Sequence, residues 1–250
     1  MVAAVSREPD MVLVGAAEKG HEVGRDAGEV AAIGTLGIEI TEDFQGILRT
    51  ARPDVLVDFT VAEAAAGNAA MAIENGVRPV VGTTGMPAEI VQRLGDMCRE
   101  RKLGGLIAPN FAIGAVLMME FARTAARFLS DVEIIELHHD RKRDAPSGTA
   151  LKTAEMIRPV IERQGAARLQ EGGGVGDPRG MPVGRVRVHS VRLPGLVAHQ
   201  EVIFGGLGQT LTIRHDSTSR ESFMPGVLLA ARKVMGLSDL VVGLEKLLDL

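Results

Sequence analysis

Two adjacent histidines, His138 and His139, are followed at close spacing by Lys142. The unperturbed pKa of histidine lies closest to neutral pH among the side chains, so histidine is the usual proton carrier in enzymes. A nearby lysine ammonium can donate a proton or hold an anion. The segment then continues through the turn sequence Pro146–Thr149 into apolar residues at helical spacing. A helix N-terminus binds carboxylate or phosphate, so this pattern favours an enzyme that acts on a small acidic substrate.

A histidine pair has two other interpretations, a metal site or ordinary packing and surface residues. Metal sites usually need a third or fourth ligand at diagnostic spacing, and the sequence has no Cys cluster and no second close His pair. Joined to Lys142 and a predicted anion site, the pair favours proton transfer, and we expect no metal.

The composition is that of a globular protein with one large domain or two small ones. The chain has 250 residues, of which 46% are hydrophobic and 24% charged, which argues against disorder. A net charge of −4 and the absence of Trp and Tyr argue against nucleic-acid binding. The single Cys98 fits a reducing compartment, and neither a signal peptide nor a membrane-spanning apolar run is present. We therefore expect a cytoplasmic protein with no nucleic-acid or membrane partner.

Apolar strands alternate with helices up to about residue 110, and the pattern then changes. The predicted strands of the first part are 11–17, 54–58, 78–82 and 103–108, and its predicted helices are 42–51, 62–75 and 87–101. Beyond it we predict helices at 114–129, 148–163 and 222–235, β-like runs at 132–138, 184–193, 196–204 and 209–217, and a Gly-rich loop at 171–181. The first pattern is typical of βαβ units and a parallel sheet.

This pattern predicts an α/β protein. We expect a Rossmann-like dinucleotide-binding domain at 1–110 that is truncated at its N-terminus and lacks its first strand. A second α+β domain with a mostly antiparallel sheet is expected at 111–220, followed by a helical segment at 221–250.

Glu18 ends the first predicted strand, where dinucleotide-binding units place an acid on the adenosine ribose, and Lys19 could meet a 2′-phosphate. An acidic strand end in water is the alternative. The glycine fingerprint belongs about 20 residues before that acid, and counting back this far from Glu18 passes the start of the sequence. We therefore expect residues 2–8 to end the first helix, and we expect the native protein to be longer by about that length. Gly172–Gly176 follows a helix-like segment, which favours a mobile loop over a phosphate site.

Two turn sequences follow neighbouring predicted strands. Gly82-Thr83-Thr84-Gly85 follows one, and Ala108-Pro109-Asn110-Phe111 follows the next. Each alone could be simple turn chemistry. Because open α/β sheets bind ligands at the carboxyl ends of their strands, the two together predict a shared ligand crevice.

These motifs resemble the dihydrodipicolinate reductase family of the diaminopimelate and lysine pathway. The resemblance covers essentially the whole chain and is carried by residues 54–60, 81–85, 108–111, 138–150 and 188–192. It implies that NADH or NADPH delivers hydride to a dicarboxylate ring with loss of water. It also implies that the reductase is a homotetramer built through the sheet of the second domain, with the last helix returning to the nucleotide domain.

The resemblance also implies roles for individual residues. His138 is the expected general acid/base, Lys142 the proton donor to the ring nitrogen, and His139 a substrate contact. Ser147 and the main-chain N–H groups of Gly148 and Thr149 are expected to bind one carboxylate. The expected cofactor-binding residues are Glu18, Lys19, Gly82, Thr83, Thr84, Ala108, Pro109, Asn110 and Phe111.

The family's N-terminal Gly-x-x-Gly-Arg-Met-Gly turn has no match in the sequence, and two alternatives follow. One is a truncated, nucleotide-binding-deficient remnant that acts only as an oligomeric scaffold. The other is another nicotinamide-dependent enzyme, such as an amino-acid dehydrogenase.

Overall fold

A computed structural model describes residues 1–164, 178–248 and 250. The chain divides into two compact units, one formed by Met1–Phe111 with Phe223–Leu250 and the other by Ala112–Ser222. Most of the Gly-rich loop predicted at 171–181, including Gly172–Gly176, lies outside the described residues.

The elements are numbered in chain order. The helices are α1 (Val2–Val5), α2 (Ala27–Val30), α3 (Phe44–Thr50), α4 (Ala62–Glu74), α5 (Ala88–Arg101), α6 (Ile113–Ala125), α7 (Gly148–Glu162) and α8 (Met224–Lys233). The strands are β1 (Ala16–Ala17), β2 (Ile40–Thr41), β3 (Val55–Asp58), β4 (Arg78–Val81), β5 (Gly105–Ile107), β6 (Asp131–His138), β7 (Met181–Val183), β8 (Val186–Arg192), β9 (Ala198–Gly206), β10 (Gln209–Ser217) and β11 (Leu240–Val242). Short 3-10 turns cover Arg220–Phe223, Val234–Gly236 and Leu244–Leu247.

The first unit contains a four-stranded parallel sheet in the order β11-β5-β4-β3. The three predicted strands that end near residues 58, 82 and 108 are confirmed as β3, β4 and β5. Helices α4 and α5 cover the sheet with small and apolar side chains, and Ala65, Ala69 and Leu94 are buried there. The strand register aligns the carboxyl ends of β3, β4 and β5 in one row, because Asp58 pairs with Val81 and Val81 pairs with Ile107.

The strand predicted at 11–17 is wrong for most of its length. Only Ala16 and Ala17 are in a strand, and they pair with β2 in a separate two-stranded parallel sheet. Val12 and Val14 are 81% and 43% exposed. An apolar run becomes a buried strand only where neighbouring strands and covering helices take up its two edges and two faces, which the described residues do here only at its end. The predicted helix at 2–8 is present over its first half as α1.

The second unit contains a five-stranded mixed sheet in the order β10-β9-β6-β8-β7. The β6–β8 pair is parallel and the other three pairs are antiparallel, which confirms the predicted mostly antiparallel sheet. Helix α6 packs against β10, and α7 packs against β6, β7 and β8. Alternate residues of β6 and β9 are therefore buried beneath these helices, among them Ile134, Val202 and Phe204.

Helix α8 and strand β11 belong to the first unit. The helix predicted at 222–235 is shorter, since 3-10 turns precede and follow α8. The helix predicted at 114–129 likewise ends earlier, at Ala125. Strand β11 adds an unpredicted edge to the parallel sheet beside β5.

Candidate active site

His138 is the last residue of β6, and its ring is 14% exposed. Its Nδ1 lies 2.5 Å from Oε2 of Glu136, which points to the same face of the strand and is fully buried. The opposite carboxylate oxygen, Oε1, accepts a hydrogen bond of 3.1 Å from the main-chain N–H of Ser147. One carboxylate therefore contacts both the predicted general acid and the residue that begins the predicted anion site.

Arg192, the last residue of β8, compensates the charge of Glu136. Its Nη1 and Nη2 donate to the two carboxylate oxygens at 2.9 and 2.8 Å. Nη2 also donates to the main-chain oxygen of Asp144 at 2.7 Å. The guanidinium thus connects the strand to the loop that carries Lys142.

Lys142 lies in the loop between β6 and α7. Its Nζ donates to both carboxylate oxygens of Asp144, each at 2.8 Å, and the lysine side chain is 22% exposed. The hydrogen bond from Lys142 is the main reason why the pKa of Asp144 lies below its usual range. Asp144 therefore joins the two cations: its side chain binds the Lys142 ammonium, and its main-chain oxygen binds Arg192.

The predicted helix start is confirmed: α7 begins at Gly148, and Ser147 is its N-cap. The Ser147 Oγ accepts a hydrogen bond of 3.2 Å from the N–H of Ala150. Gly148 is exposed, and apart from its chain neighbours and the backbone of its own helix, no atom of the described residues lies within 4 Å of the position where its Cβ would be. Thr149 is half-buried and its main-chain oxygen accepts from Thr153. The first turn of α7 is therefore open at Gly148.

Hydrogen bonds hold Glu136 in its ionised form. Burial alone would raise its pKa, but the hydrogen bonds from His138 and Arg192 outweigh that effect and lower the pKa to about 2. Beside this network lies His139, half-buried, and its Nδ1 is buried without a hydrogen-bond partner among the described residues.

In the first unit, the two predicted ligand loops lie at neighbouring strand ends. The N–H of Gly82 donates to Asp58 at 2.8 Å, and the N–H of Ala108 donates to Val81 at 2.9 Å. The buried carboxylate of Asp58 accepts from the N–H and hydroxyl of Thr60 at 2.7 and 2.6 Å. The hydroxyl of Thr83 in turn donates to the main-chain oxygen of Thr60 at 2.7 Å. Main-chain and side-chain bonds therefore join the ends of β3, β4 and β5.

An aromatic pair lies at the same edge of the sheet. The rings of Phe59 and Phe111 have centroids 5.5 Å apart at 56°, and Phe59 is 47% exposed. The Phe59 ring lies so close to Gly82 that a Cβ there would be 2.1 Å from it. The remaining predicted loop residues, Thr84, Ala108, Pro109 and Asn110, follow the same two strand ends.

The predicted ribose site lies on the smaller sheet of this unit. Glu18 follows β1 directly, its N–H donates to Thr41 of the adjoining strand at 3.2 Å, and both Glu18 and Lys19 are exposed. In the described part of the chain, no group of three His, Cys, Asp or Glu side chains could hold a metal ion, and no helix could cross a membrane.

Sequence reasoning assigned no role to four residues that shape these two regions. Glu136 and Arg192 organise the histidine region, and Phe59 and Thr60 organise the strand-end loops. Phe59, Thr60 and Arg192 lie in segments that carry the family resemblance, and Glu136 lies two residues before another of these segments. Their contacts depend on strand register, and spacing along the chain does not show that register.

Two family models match the chain. The model described as dihydrodipicolinate reductase, N-terminus, matches residues 1–111, and the model for the C-terminus matches residues 114–248. The 4-hydroxy-tetrahydrodipicolinate reductase of Moorella thermoacetica is 53% identical over 240 residues, which are 96% of this chain and 89% of the relative. That of Desulfitobacterium hafniense is 50% identical over 250 residues, 100% of this chain and 93% of the relative.

Solved structures are similar as well. A dipicolinate-bound dihydrodipicolinate reductase from Paenisporosarcina sp. TG-14 has a TM-score of 0.86 and 41% identity, covering 99% of this chain and 93% of that one. An amine dehydrogenase from Mycobacterium smegmatis, at 15% identity, has a TM-score of 0.62 and covers 93% of this chain and 88% of that one. At that identity the second likeness shows the fold alone.

Proposed function

The chain belongs to the dihydrodipicolinate reductase family, and we infer from this membership that it reduces 4-hydroxy-tetrahydrodipicolinate to tetrahydrodipicolinate with a nicotinamide cofactor. The observation that supports this activity most strongly is the shared carboxylate of Glu136, which contacts His138 and the start of α7 together. A proton carrier and an anion site are thereby held side by side, as reduction of a dicarboxylate requires.

The substrate side of the reaction is assigned to the second unit. The exposed Gly148 at the start of α7 supports binding of one substrate carboxylate at this helix N-terminus, which we assign to the N–H groups of Gly148 and Thr149, with Ser147 holding the turn in place. His139 is assigned to a substrate contact because its half-buried ring directly follows His138 at the end of β6. A second carboxylate on the substrate is attracted by the basic loop that contains Lys142.

Proton transfer is assigned to His138 and Lys142. The Lys142 ammonium donates a proton to the ring nitrogen as negative charge develops there, and His138 serves as general acid/base while water leaves. Both groups are anchored, His138 by Glu136 and Lys142 by Asp144. Anchoring keeps the proton carriers oriented before the substrate arrives.

The residues at the strand ends of the first unit fit a nicotinamide cofactor. The half-exposed Phe59 ring beside the Gly82 backbone offers a flat apolar surface, and Thr83 and Asn110 add polar groups next to it. Gly82, Thr84, Ala108, Pro109 and Phe111 complete this set. When bound, the cofactor supplies the hydride. Glu18 is assigned to the adenosine ribose, and the adjacent exposed Lys19 supports acceptance of NADPH as well as NADH.

A homotetramer assembled through the five-stranded sheet is part of the same proposal. Residues of β6 and β9 that alternate with the buried ones, such as Ile135, Leu137 and Ile203, lie on the face opposite α6 and α7 and are only half-buried. The single cysteine, Cys98, is buried and supports a cytoplasmic location. Light scattering of the purified protein measures the assembly, and a monomeric mass would contradict it.

The activity is tested by following NADPH and NADH absorbance with 4-hydroxy-tetrahydrodipicolinate as substrate. We expect turnover that saturates with substrate and is inhibited by dipicolinate, the planar dicarboxylate bound to the solved relative. Titration with NADPH alone separates the alternatives. Absence of saturable binding would favour a scaffold, whereas binding without turnover of this substrate would favour a different dehydrogenase.

A further inference from the structure

Glu136 is a buried charged residue that follows two apolar residues on its face of β6. Val132 and Ile134 precede it on the same face of β6 and are buried as it is. Removing a carboxylate from water is unfavourable unless a counter-ion and several hydrogen bonds compensate, and apolar residues often replace such buried pairs without loss of stability. The reason for a carboxylate at this position therefore lies in the groups that it orients.

The groups that hydrogen-bond to the carboxylate are donors. Arg192 donates twice and the main chain of Ser147 once. An ionised carboxylate only accepts hydrogen bonds, so the contact at 2.5 Å requires a hydrogen on Nδ1 of His138. In the neutral imidazole the proton then resides on Nδ1, and Nε2 is the nitrogen that can exchange a proton with a ligand.

The same carboxylate orients the other two parts of the site. Its second oxygen holds Ser147, the N-cap of α7, and so sets the direction of the first helical turn. Its counter-ion, Arg192, holds the main chain of Asp144, whose side chain binds Lys142. The buried carboxylate of Glu136 is thus connected to the proton carrier, to the anion site and, through Arg192 and Asp144, to the ammonium.

On these grounds, and resting on the reductase function proposed above, we propose that Glu136 is a positioning residue: it fixes the Nδ1–H tautomer of His138, so that Nε2 carries the reaction proton, and with Arg192 it aligns His138, the start of α7 and the Lys142 loop.

The tautomer is measured by ¹⁵N NMR on histidine-labelled protein at a pH where the imidazoles are neutral. The chain has six histidines, and the His138 signals are identified by their absence in His138→Gln. We expect Nδ1 to be protonated and Nε2 to be unprotonated. The opposite tautomer would overturn the proposal. Because this measurement needs no turnover, it is decisive even if the reductase assay fails, and failure of that assay by the wild type would count against the proposed function alone.

The kinetic test uses Glu136→Gln. An amide has one donor group, which must face Arg192 together with either His138 or Ser147, so the network cannot re-form. We expect kcat to fall roughly 10²-fold with a smaller change in KM, since loss of an oriented acid/base acts on the chemical step. The matched control is Glu162→Gln, which removes the carboxylate of an exposed Glu–Arg pair in α7 and should leave kcat unchanged.

A second variant separates a loss of positioning from a failure to fold. Glu136→Gln leaves Arg192 without its buried partner, whereas Glu136→Leu/Arg192→Leu removes both charges and should fold. We expect the double variant to show the same loss of kcat at an unchanged melting temperature. Retention of wild-type kcat in either folded variant would overturn the positioning role.

Discussion

Glu136 and Arg192 form a bidentate ion pair between the neighbouring parallel strands β6 and β8, with N–O distances of 2.9 and 2.8 Å. The carboxylate is fully buried, and the guanidinium side chain is 18% exposed. Two parallel hydrogen bonds of this kind are geometrically selective as well as strong. Because both bonds need an ionised carboxylate, protonation of Glu136 should weaken the pair beside His138.

Acid should weaken the fold through Glu136. Burial opposes ionisation, but the bonds from His138 and Arg192 lower the pKa of this carboxyl from 4.5 to about 2. A lowered pKa stabilises the folded state above the unfolded-state pKa, and that stabilisation is lost as pH falls from about 4.5 towards 2. The shift corresponds to about 3 kcal/mol. Urea unfolding across this pH window should show a steeper loss in wild type than in Glu136→Leu/Arg192→Leu. Parallel curves would contradict the assignment.

Lys142→Ala should reduce turnover without unfolding the protein. The contact of Lys142 with Asp144 is an ion pair whose carboxylate is 61% exposed, and such pairs contribute about 0–1 kcal/mol to stability. Loss of a proton donor should lower kcat by roughly 10²-fold or more. Lys152→Ala, which removes an exposed lysine of α7, is the control. A wild-type rate in Lys142→Ala would remove this residue from the mechanism.

Gly82→Ala should weaken cofactor binding. The new Cβ would lie 2.1 Å from the Phe59 ring, so the ring must move, and overpacking of this kind costs about 1–3 kcal/mol. Fluorescence titration with NADPH and thermal unfolding measure the two effects. Gly67→Ala is the matched control, because nothing lies within 4 Å of its Cβ position in α4 and a helical glycine is replaced there. Equal affinities in the two variants would exclude Phe59 and Gly82 from the cofactor site.

Lys19→Ala should change the preference between the two cofactors. If the exposed ammonium meets a 2′-phosphate, its loss weakens NADPH binding roughly fivefold and leaves NADH binding unchanged. Lys246→Ala removes an exposed lysine elsewhere in the same unit and should change neither affinity. A parallel loss of both affinities would show that Lys19 does not contact the 2′-phosphate.

The strands β3 to β5, their helices and the start of α7 could be predicted from short stretches of sequence. The buried runs at β3, β4 and β5, the helices between them and the helix start at Ser147 follow from apolar spacing and capping chemistry. The His138–Thr149 stretch likewise indicated its chemistry, because its residues are close together in the chain. Strand β11 was missed because its pairing with β5 joins residues far apart in the chain, which a local pattern does not show.

The types of the reacting groups, the alternation of strands and helices and the family resemblance could all be predicted from the order of the residues. Three features became visible only in the folded chain. Arg192 reaches Glu136 across the β6–β8 register, Phe59 covers Gly82, and the run at 11–17 is a strand only at its end. Each of these depends on which strands lie side by side. That choice is made by burial and hydrogen bonding summed over the folded chain, and no short segment carries it.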